Sequence, residues 1–561
     1  MRIDRWREYV GSVSPEELAR LRDCGDWENV TIGAHLHRAA LEHSYRPAVI
    51  AAGGMYTYRE LDERSDRVAA GLADLGLRPG GAVLLQLDNT LDAVLAWYGV
   101  IKAGLVPVAT LLAYRGHEIG EIGSQTEAVA HIVAADYSKF DLTGFAVEMA
   151  ERAAGRRVVI TVGAVTAGAG THRLEDLGAE LEPAVARSAV ERIDEGIDGD
   201  DIGVFQLSGG TTGTPKVIPR RHDDYWLTSR QFTQRLGWDE TTRVMHFLPL
   251  IHNAGILLAL HAAHTVGAAV VVATPAVDTL LQVMIDNGVT DFLGYGALAV
   301  EWAMRPDFDR ATAALRHVVY SGTRVTDDAF AIFADRGISV LHLYGSSEGL
   351  VMVTPEEWPA QARQHTLGTP LSEDETVRVL APGAEREVPD GAPGELCYRG
   401  PSTLRGYLRN PTANAEGFTS DGLLRSGDLV SRRTVDGAVT YVFEGRIKDV
   451  IHRGGEKVST AEIEALVARM PGVARVALVA VPDHRLGERG CIVVEPVPGA
   501  LTPTLGQVTE FLAQLEVAKF KWPERLESMD ALPLTPVGKL DKRALRARMA
   551  TTPRQTEEIR S

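Results

Sequence analysis

Cysteine is scarce in this chain of 561 residues: Cys24, Cys397 and Cys491 are its only three, each isolated in sequence. Three scattered thiols build neither a disulfide framework nor a zinc site, and they fit a reducing compartment. Aromatic residues make up only 6%. Positive charge is in deficit, with a formal net charge of −17, which argues against a protein that coats nucleic acid or anionic membrane. Long hydrophobic runs are also missing. The most apolar region, residues 254–277, is interrupted by His261, His264, Thr265, Gly267 and Pro275. It divides into a helix-like half and a strand-like half (268–273), as a buried α/β unit does rather than a membrane span. The first residues, Met1-Arg2-Ile3-Asp4-Arg5-Trp6-Arg7-Glu8, carry no apolar core or cleavage signal, so no secretory leader is expected and the cytoplasm is the expected location.

What is present is an ordinary soluble composition, 45% hydrophobic and 24% charged, in a chain too long for a single core. Short apolar runs alternate with helix-period segments: strands are expected over 82–87, 105–109, 130–133 and 158–162, and a helix over 91–103. The alternation resumes with strands over 244–250, 268–273, 292–295 and 317–321. This pattern predicts a layered α/β body with mostly parallel strands. From about Thr376 short strands separated by Gly, Pro and Asp predict a β-rich subdomain. After about Lys448 a helix (461–469), two strands (473–481, 491–497) and a helix (504–515) predict a small α+β domain. The expected division is 1–447 for the core, 448–548 for the small domain and 549–561 for a tail.

The densest chemistry is Ser208-Gly209-Gly210-Thr211-Thr212-Gly213-Thr214-Pro215-Lys216, after the apolar run 202–207. Glycines allow a tight turn that exposes backbone N–H groups, and hydroxyls and a lysine add donors, so the loop suits phosphate oxygens. The Gly-x-x-x-x-Gly-Lys-Ser/Thr spacing of the common nucleotide loop cannot be laid over it. Four other segments are each unremarkable alone: Tyr344-Gly345-Ser346-Ser347-Glu348-Gly349, Ser426-Gly427-Asp428, Gly445-Arg446 with Arg453-Gly454-Gly455-Glu456-Lys457, and Pro536-Val537-Gly538-Lys539. A glutamate after a strand end can hold Mg²⁺, and an Asp can accept ribose hydroxyls as readily as it can occupy a turn.

The order and spacing of these five segments resemble the adenylate-forming superfamily of acyl- and aryl-CoA synthetases, peptide-synthetase adenylation domains and luciferases. Within it the chain is most similar to stand-alone aryl-acid AMP ligases, from about residue 20 to about 548. Tyr58-Arg59-Glu60-Leu61-Asp62, Ile218-Pro219-Arg220-Arg221-His222-Asp223-Asp224-Tyr225 and His252-Asn253 add to the likeness. The resemblance implies ATP and Mg²⁺ as cofactors. It implies an aryl acid activated to its adenylate with loss of pyrophosphate, then passed to a carrier-protein thiol in nonribosomal or siderophore-type synthesis. After Lys539 only 22 residues remain, so that acceptor is expected in trans; free CoA is the alternative acceptor. A non-catalytic binding protein on the same scaffold would be expected to lack Lys539 or Glu348.

By the same resemblance, Ser208, Gly209, Gly210, Thr211, Thr212, Gly213, Thr214 and Lys216 would cradle phosphates. Gly322, Thr323 and Tyr344 would hold adenine, Asp428 with Arg446 the ribose, and Glu348 the metal. Lys539, Glu348 and His252 are the catalytic candidates, and Lys448 the hinge of the small domain. Asn253 would face an ortho-hydroxyl of the acid, with Ala254, Gly345 and Val351 lining the ring. At Ala254 the chain departs from its aryl-acid look-alikes, which carry a tyrosine there, and the lost bulk leaves room for a larger bicyclic acid. Ser321-Gly322-Thr323 also departs, standing where Gly-Gly-Ala is common.

Overall fold

The computed structural model describes residues 5–163, 170–208, 215–274, 277–294, 297–321, 327–453, 456–483, 487–515, 517, 519–535 and 539–551. Gly209 to Thr214, Gly322 and Thr323 therefore lie outside the described residues, as do 552–561 of the expected tail.

The described residues form four sheets. A seven-stranded sheet is built on Ala82–Gln86, Val106–Ala109, Ala130–Ala134 and Val158–Val162, parallel strands buried on both faces. Their near-continuous Val/Ile/Leu/Ala content is what burial on both faces demands. The sheet ends in an antiparallel pair, Ile202–Leu207 with Val217–Arg221, which flanks the Gly/Thr loop. A nine-stranded sheet carries Arg243–His246, Ala269–Val272, Asp291–Gly294, His317–Ser321 and Ser339–Gly345 in parallel. The strands Thr376–Leu380, Pro393–Arg399, Leu424–Val435 and Ala438–Arg446 make an antiparallel four-stranded sheet. From Val450 the chain builds a separate five-stranded sheet with its own apolar core around Ile463, Leu478, Ile492 and Val508. The layered α/β body, the β-rich unit and the small α+β unit are all found in the expected order.

Two departures from the sequence pattern matter for the site. The strand expected over 244–250 stops at His246. Beyond it the backbone is held by a side chain rather than a ladder: Asn89 Nδ2 donates to the carbonyls of Leu248 and Ala273, both at 2.8 Å, and its Oδ1 accepts from Leu250 N at 2.8 Å. Pro249 has no N–H to extend the strand. The helix that follows opens as a π-helix, Gly255–His261, a form that clusters at functional sites. Ser229 Oγ donates to the carbonyl of Leu257 at 2.7 Å there. Only glycine fits at its start, since a Cβ on Gly255 would stand 2.4 Å from the Leu250 oxygen.

At the amino-terminal ends of two central strands of the nine-stranded sheet, Asp291 gathers Trp238 Nε1 (2.7 Å), His317 Nδ1 (2.7 Å) and Arg316 Nη2 (3.1 Å), while His317 Nε2 faces Glu356 at 3.4 Å. Burial opposes charge on His317, but Asp291 and then Glu356 hold its pKa above the ordinary value near 6.5. A raised histidine pKa gives stability that is complete below pH 6.5 and is lost as pH rises through the folded value. The melting temperature of the wild type should therefore exceed that of His317→Gln most at pH 6, with the gap narrowing toward pH 9. A gap that widens with pH would contradict the pairing.

Candidate functional site

The segments expected to form the site follow the ends of parallel strands. Ile202–Leu207 leads into the Gly/Thr loop, Arg243–His246 into His252-Asn253, His317–Ser321 into Gly322-Thr323, and Ser339–Gly345 into Ser346-Ser347-Glu348. Carboxyl ends of parallel strands are where open α/β sheets bind ligands.

At the base of the Gly/Thr loop, Ser208 N donates to the Lys216 carbonyl at 2.9 Å and Lys216 N donates to Ser208 Oγ at 3.0 Å. The loop is thus closed by its own first and last expected residues. The Lys216 ammonium sits 4.4 Å from the centre of the Tyr407 ring. Tyr407 in turn donates its hydroxyl to Glu348 Oε1 at 3.1 Å. Burial raises the Glu348 carboxyl above its usual value, and Lys216 works against that rise. Its other oxygen takes no hydrogen bond from another side chain among the described residues. A half-buried carboxylate with one oxygen free of other side chains fits a hard cation, which takes oxygen ligands.

Glu348 is fixed through its backbone. Its carbonyl accepts from Leu404 N at 2.6 Å, and Arg220 Nη1 donates to the neighbouring Ser347 carbonyl at 3.1 Å while its Nε binds Asp224 at 2.8 Å. Gly349 has φ +135°, and a Cβ there would meet the Ser402 oxygen at 2.1 Å. Any other residue would push Glu348 off its support.

Tyr344 and Gly345 belong to the strand Ser339–Gly345 and pair with Met352 and Val351. Tyr344 donates its hydroxyl to Asp428 Oδ2 at 2.8 Å, and Arg446 Nε lies 3.2 Å from Asp428 Oδ1. Asp428 is likewise a strand residue, directly opposite Arg446 in the register of two antiparallel strands. Cross-strand neighbours of opposite charge are held together by the ladder. Burial raises the Asp428 pKa, and Arg446 counters it.

Lys539 comes from the small unit, in a turn where Thr535 Oγ1 accepts from Lys539 N at 3.1 Å. Its ammonium forms no hydrogen bond or ion pair among the described residues. Its pKa is lowered by desolvation and then by Arg446, with Asp428 opposing. Lys539 also helps depress His252, which burial brings to about 4, so that imidazole is neutral at pH 7. Lys539 thus lies within electrostatic reach of His252, Asp428 and Arg446.

Asn253 is buried and accepts from Tyr225 OH at 2.9 Å; Gln206 Nε2 donates to the same hydroxyl at 2.9 Å. Ala254 is half-buried at the start of the π-helix segment. Gly345 is exposed, and a Cβ on it would lie 3.9 Å from Val351 Cγ2. For Lys448 the structure describes the backbone alone, in a short 3₁₀ turn between the four-stranded and five-stranded sheets. Sequence reasoning assigned no role to Tyr407, Arg220, Gln206 or Tyr225. Arg220 and Tyr225 lie in the 218–225 segment that adds to the family likeness, whereas nothing specific in the local sequence marks Tyr407.

The sequence matches the AMP-binding enzyme family over residues 36–408 and the AMP-binding enzyme C-terminal domain over 462–539. A salicylyl-CoA synthase / salicylate adenylyltransferase of a Streptomyces species is 37% identical over 549 residues, 95% of this chain and 96% of the relative. A 2-hydroxy-7-methoxy-5-methyl-1-naphthoate–CoA ligase of Streptomyces carzinostaticus is 34% identical, with 95% and 96% covered. A salicyl-AMP ligase / salicyl-S-ArCP synthetase of Mycobacterium tuberculosis is 34% identical, with 94% and 93% covered. Among solved structures, ATP-bound MatB from Rhodopseudomonas palustris superposes with a TM-score of 0.82 at 25% identity, covering 93% of this chain and 99% of that one. The matched segments include Lys216, Glu348 and Lys539, and the chain belongs to the AMP-binding enzyme family.

Proposed function

We propose that this enzyme uses ATP to convert an aryl carboxylic acid to its acyl-adenylate, releasing pyrophosphate, and then passes the acyl group to a thiol. The observation that carries this reading is a cation from the small unit, Lys539, within electrostatic reach of His252 and Asp428, which supports a role for it where carboxylate and α-phosphate must meet. Two unit charges at about 4 Å repel by roughly 4 kcal/mol at an effective dielectric near 20. Lys539 offsets that repulsion and positions both groups. Asp428, steadied by Arg446 and Tyr344, accepts the ribose hydroxyls, and Tyr344 with Gly322 and Thr323 borders the adenine. The loop from Ser208 to Lys216 holds the departing pyrophosphate.

Glu348 would hold Mg²⁺, which when bound neutralises phosphate charge. Glu348→Gln keeps the shape and the Tyr407 contact but halves the acceptor strength. We expect pyrophosphate exchange to need at least about 10-fold more Mg²⁺ in that variant; an unchanged Mg²⁺ dependence would remove Glu348 from the metal site.

On this reading residues 1–447 bind ATP and acid, residues 448–548 form a lid that turns about Lys448, and the turn that withdraws Lys539 admits the thiol. The acid pocket is bounded by Asn253, Ala254, Gly345 and Val351. Ala254 gives it width, which supports a bicyclic hydroxy-aryl acid beside salicylate and 2,3-dihydroxybenzoate; the naphthoate in the name of one relative points the same way. The thiol acceptor is read as a carrier protein in a nonribosomal or siderophore-type route, in line with the ArCP in one relative's name. A second reading, free CoA, is favoured by two others. An ATP–pyrophosphate exchange panel tests the acid. Salicylate, 2,3-dihydroxybenzoate and bicyclic hydroxy-aryl acids should exceed fatty and amino acids by at least about 10² in kcat/KM; preference for a fatty or amino acid would overturn the substrate class.

A further inference from the structure

With Gln206 donating to Tyr225, Asn253 is held to one end of its amide. Tyr225 has a single hydroxyl proton. Gln206 Nε2 donates to that hydroxyl at 2.9 Å, and the hydroxyl is 2.9 Å from Asn253 Oδ1. Because its oxygen already accepts from Gln206, Tyr225 sends its own proton to Asn253 Oδ1. Gln206 and Tyr225 are buried, at 2% and 0% exposure, and no water is needed to complete the chain of bonds. Burial also pushes the Tyr225 hydroxyl above the ordinary tyrosine range, so it remains a donor. Asn253 Oδ1 is thereby committed, while Nδ2 has no partner among the described residues. Turning the Asn253 amide alone would aim two N–H donors at Tyr225 and leave its proton without an acceptor. A buried unmet group of that kind is costly.

We infer that Gln206 and Tyr225 are positioning residues that make Asn253 a donor-only contact, so that the enzyme selects aryl acids whose ortho substituent is a hydrogen-bond acceptor. This rests on the aryl-acid reading above and deepens it. A salicylate-type acid fits: its phenolic proton turns inward to its own carboxylate, and the oxygen lone pairs face outward. A ring nitrogen ortho to the carboxyl fits equally. An ortho-amino acid does not. One of its N–H bonds turns inward and the other is left facing the N–H of Asn253. A site built around one hydrogen-bond sense rejects the opposite sense more strongly than a hydrophobic pocket rejects bulk.

The test uses the full-length protein in pyrophosphate exchange at pH 8 with salicylate, anthranilate and benzoate. The wild type should favour salicylate over anthranilate by on the order of 10² in kcat/KM. Tyr225→Phe frees the amide and should lower that ratio by about 10-fold, while benzoate, which has no ortho group, changes by less than about 3-fold. Gln206→Glu reverses the relay. A carboxylate only accepts, so Tyr225 gives it the proton, takes one from Asn253 Nδ2, and turns Oδ1 toward the acid. That variant should prefer anthranilate. If both variants slow all three acids alike and keep the wild-type ratio, the relay is structural only and the inference falls. If the wild type exchanges with none of the three acids but does so with fatty or amino acids, the aryl-acid reading itself has failed.

Discussion

Lys539→Ala should lower acyl-adenylate formation by on the order of 10³, while thiol transfer from a supplied aryl-adenylate falls by less than about 3-fold. The split follows from where the lysine is. Its ammonium lies within electrostatic reach of Asp428, Arg446 and His252, yet makes no bond with a described side chain. On our reading its charge is directed to a ligand, and losing it removes electrostatic positioning from the step that joins two anions. The second step has no such pair of anions and proceeds, on our reading, with Lys539 withdrawn. Lys539→Arg keeps a cation but spreads it over a plane that a compact ammonium does not need, so partial activity is expected. Pyrophosphate exchange measures the first step, and single-turnover thioester formation from synthetic aryl-adenylate measures the second. Equal damage to both would mean that Lys539 acts in both half-reactions or supports the fold.

Gly349→Ala should abolish adenylation almost as fully, although the residue presents no functional group. A Cβ at 2.1 Å from the Ser402 oxygen, on a backbone at φ +135°, cannot be accommodated by moving a flexible side chain. The segment must shift, and Glu348 shifts with it, away from Tyr407 and the Leu404 N–H that hold it. A displacement near 1 Å at a catalytic group costs about 10² in rate. The melting temperature should fall too, since strain at such positions costs on the order of 1–3 kcal/mol. If Gly349→Ala keeps wild-type kcat and wild-type Mg²⁺ dependence, the contact with Ser402 does not position Glu348.

Much of the architecture was legible in the sequence. Parallel strands buried on both faces announce themselves as unbroken apolar runs, which is why 158–162 and 317–321 were found to the residue. The strand expected over 244–250 was overextended because Phe247, Leu248 and Leu250 are as apolar as a strand. What ends it is Asn89, a side chain more than 150 positions away. The π-helix at Gly255–His261 has no sequence period of its own to betray it; an all-round apolar segment reads simply as buried helix.

The site divides in the same way. The residues we read as carrying the chemistry stand out in the local sequence: a Gly/Thr loop ending in Lys216, a carboxylate before Gly349, an aspartate after Gly427, a lysine in a proline-bounded turn. The partner of each was decided by the tertiary structure alone. Glu348 meets Tyr407 across 59 positions, Asp428 meets Tyr344 across 84, and Asn253 meets Tyr225 across 28. Such pairings depend on sheet register and on which face of a helix is buried, and hydrogen bonds of one fixed sense exist only once those faces are packed. Local sequence can therefore name the reacting groups, whereas their direction, charge environment and selectivity exist only in the folded chain.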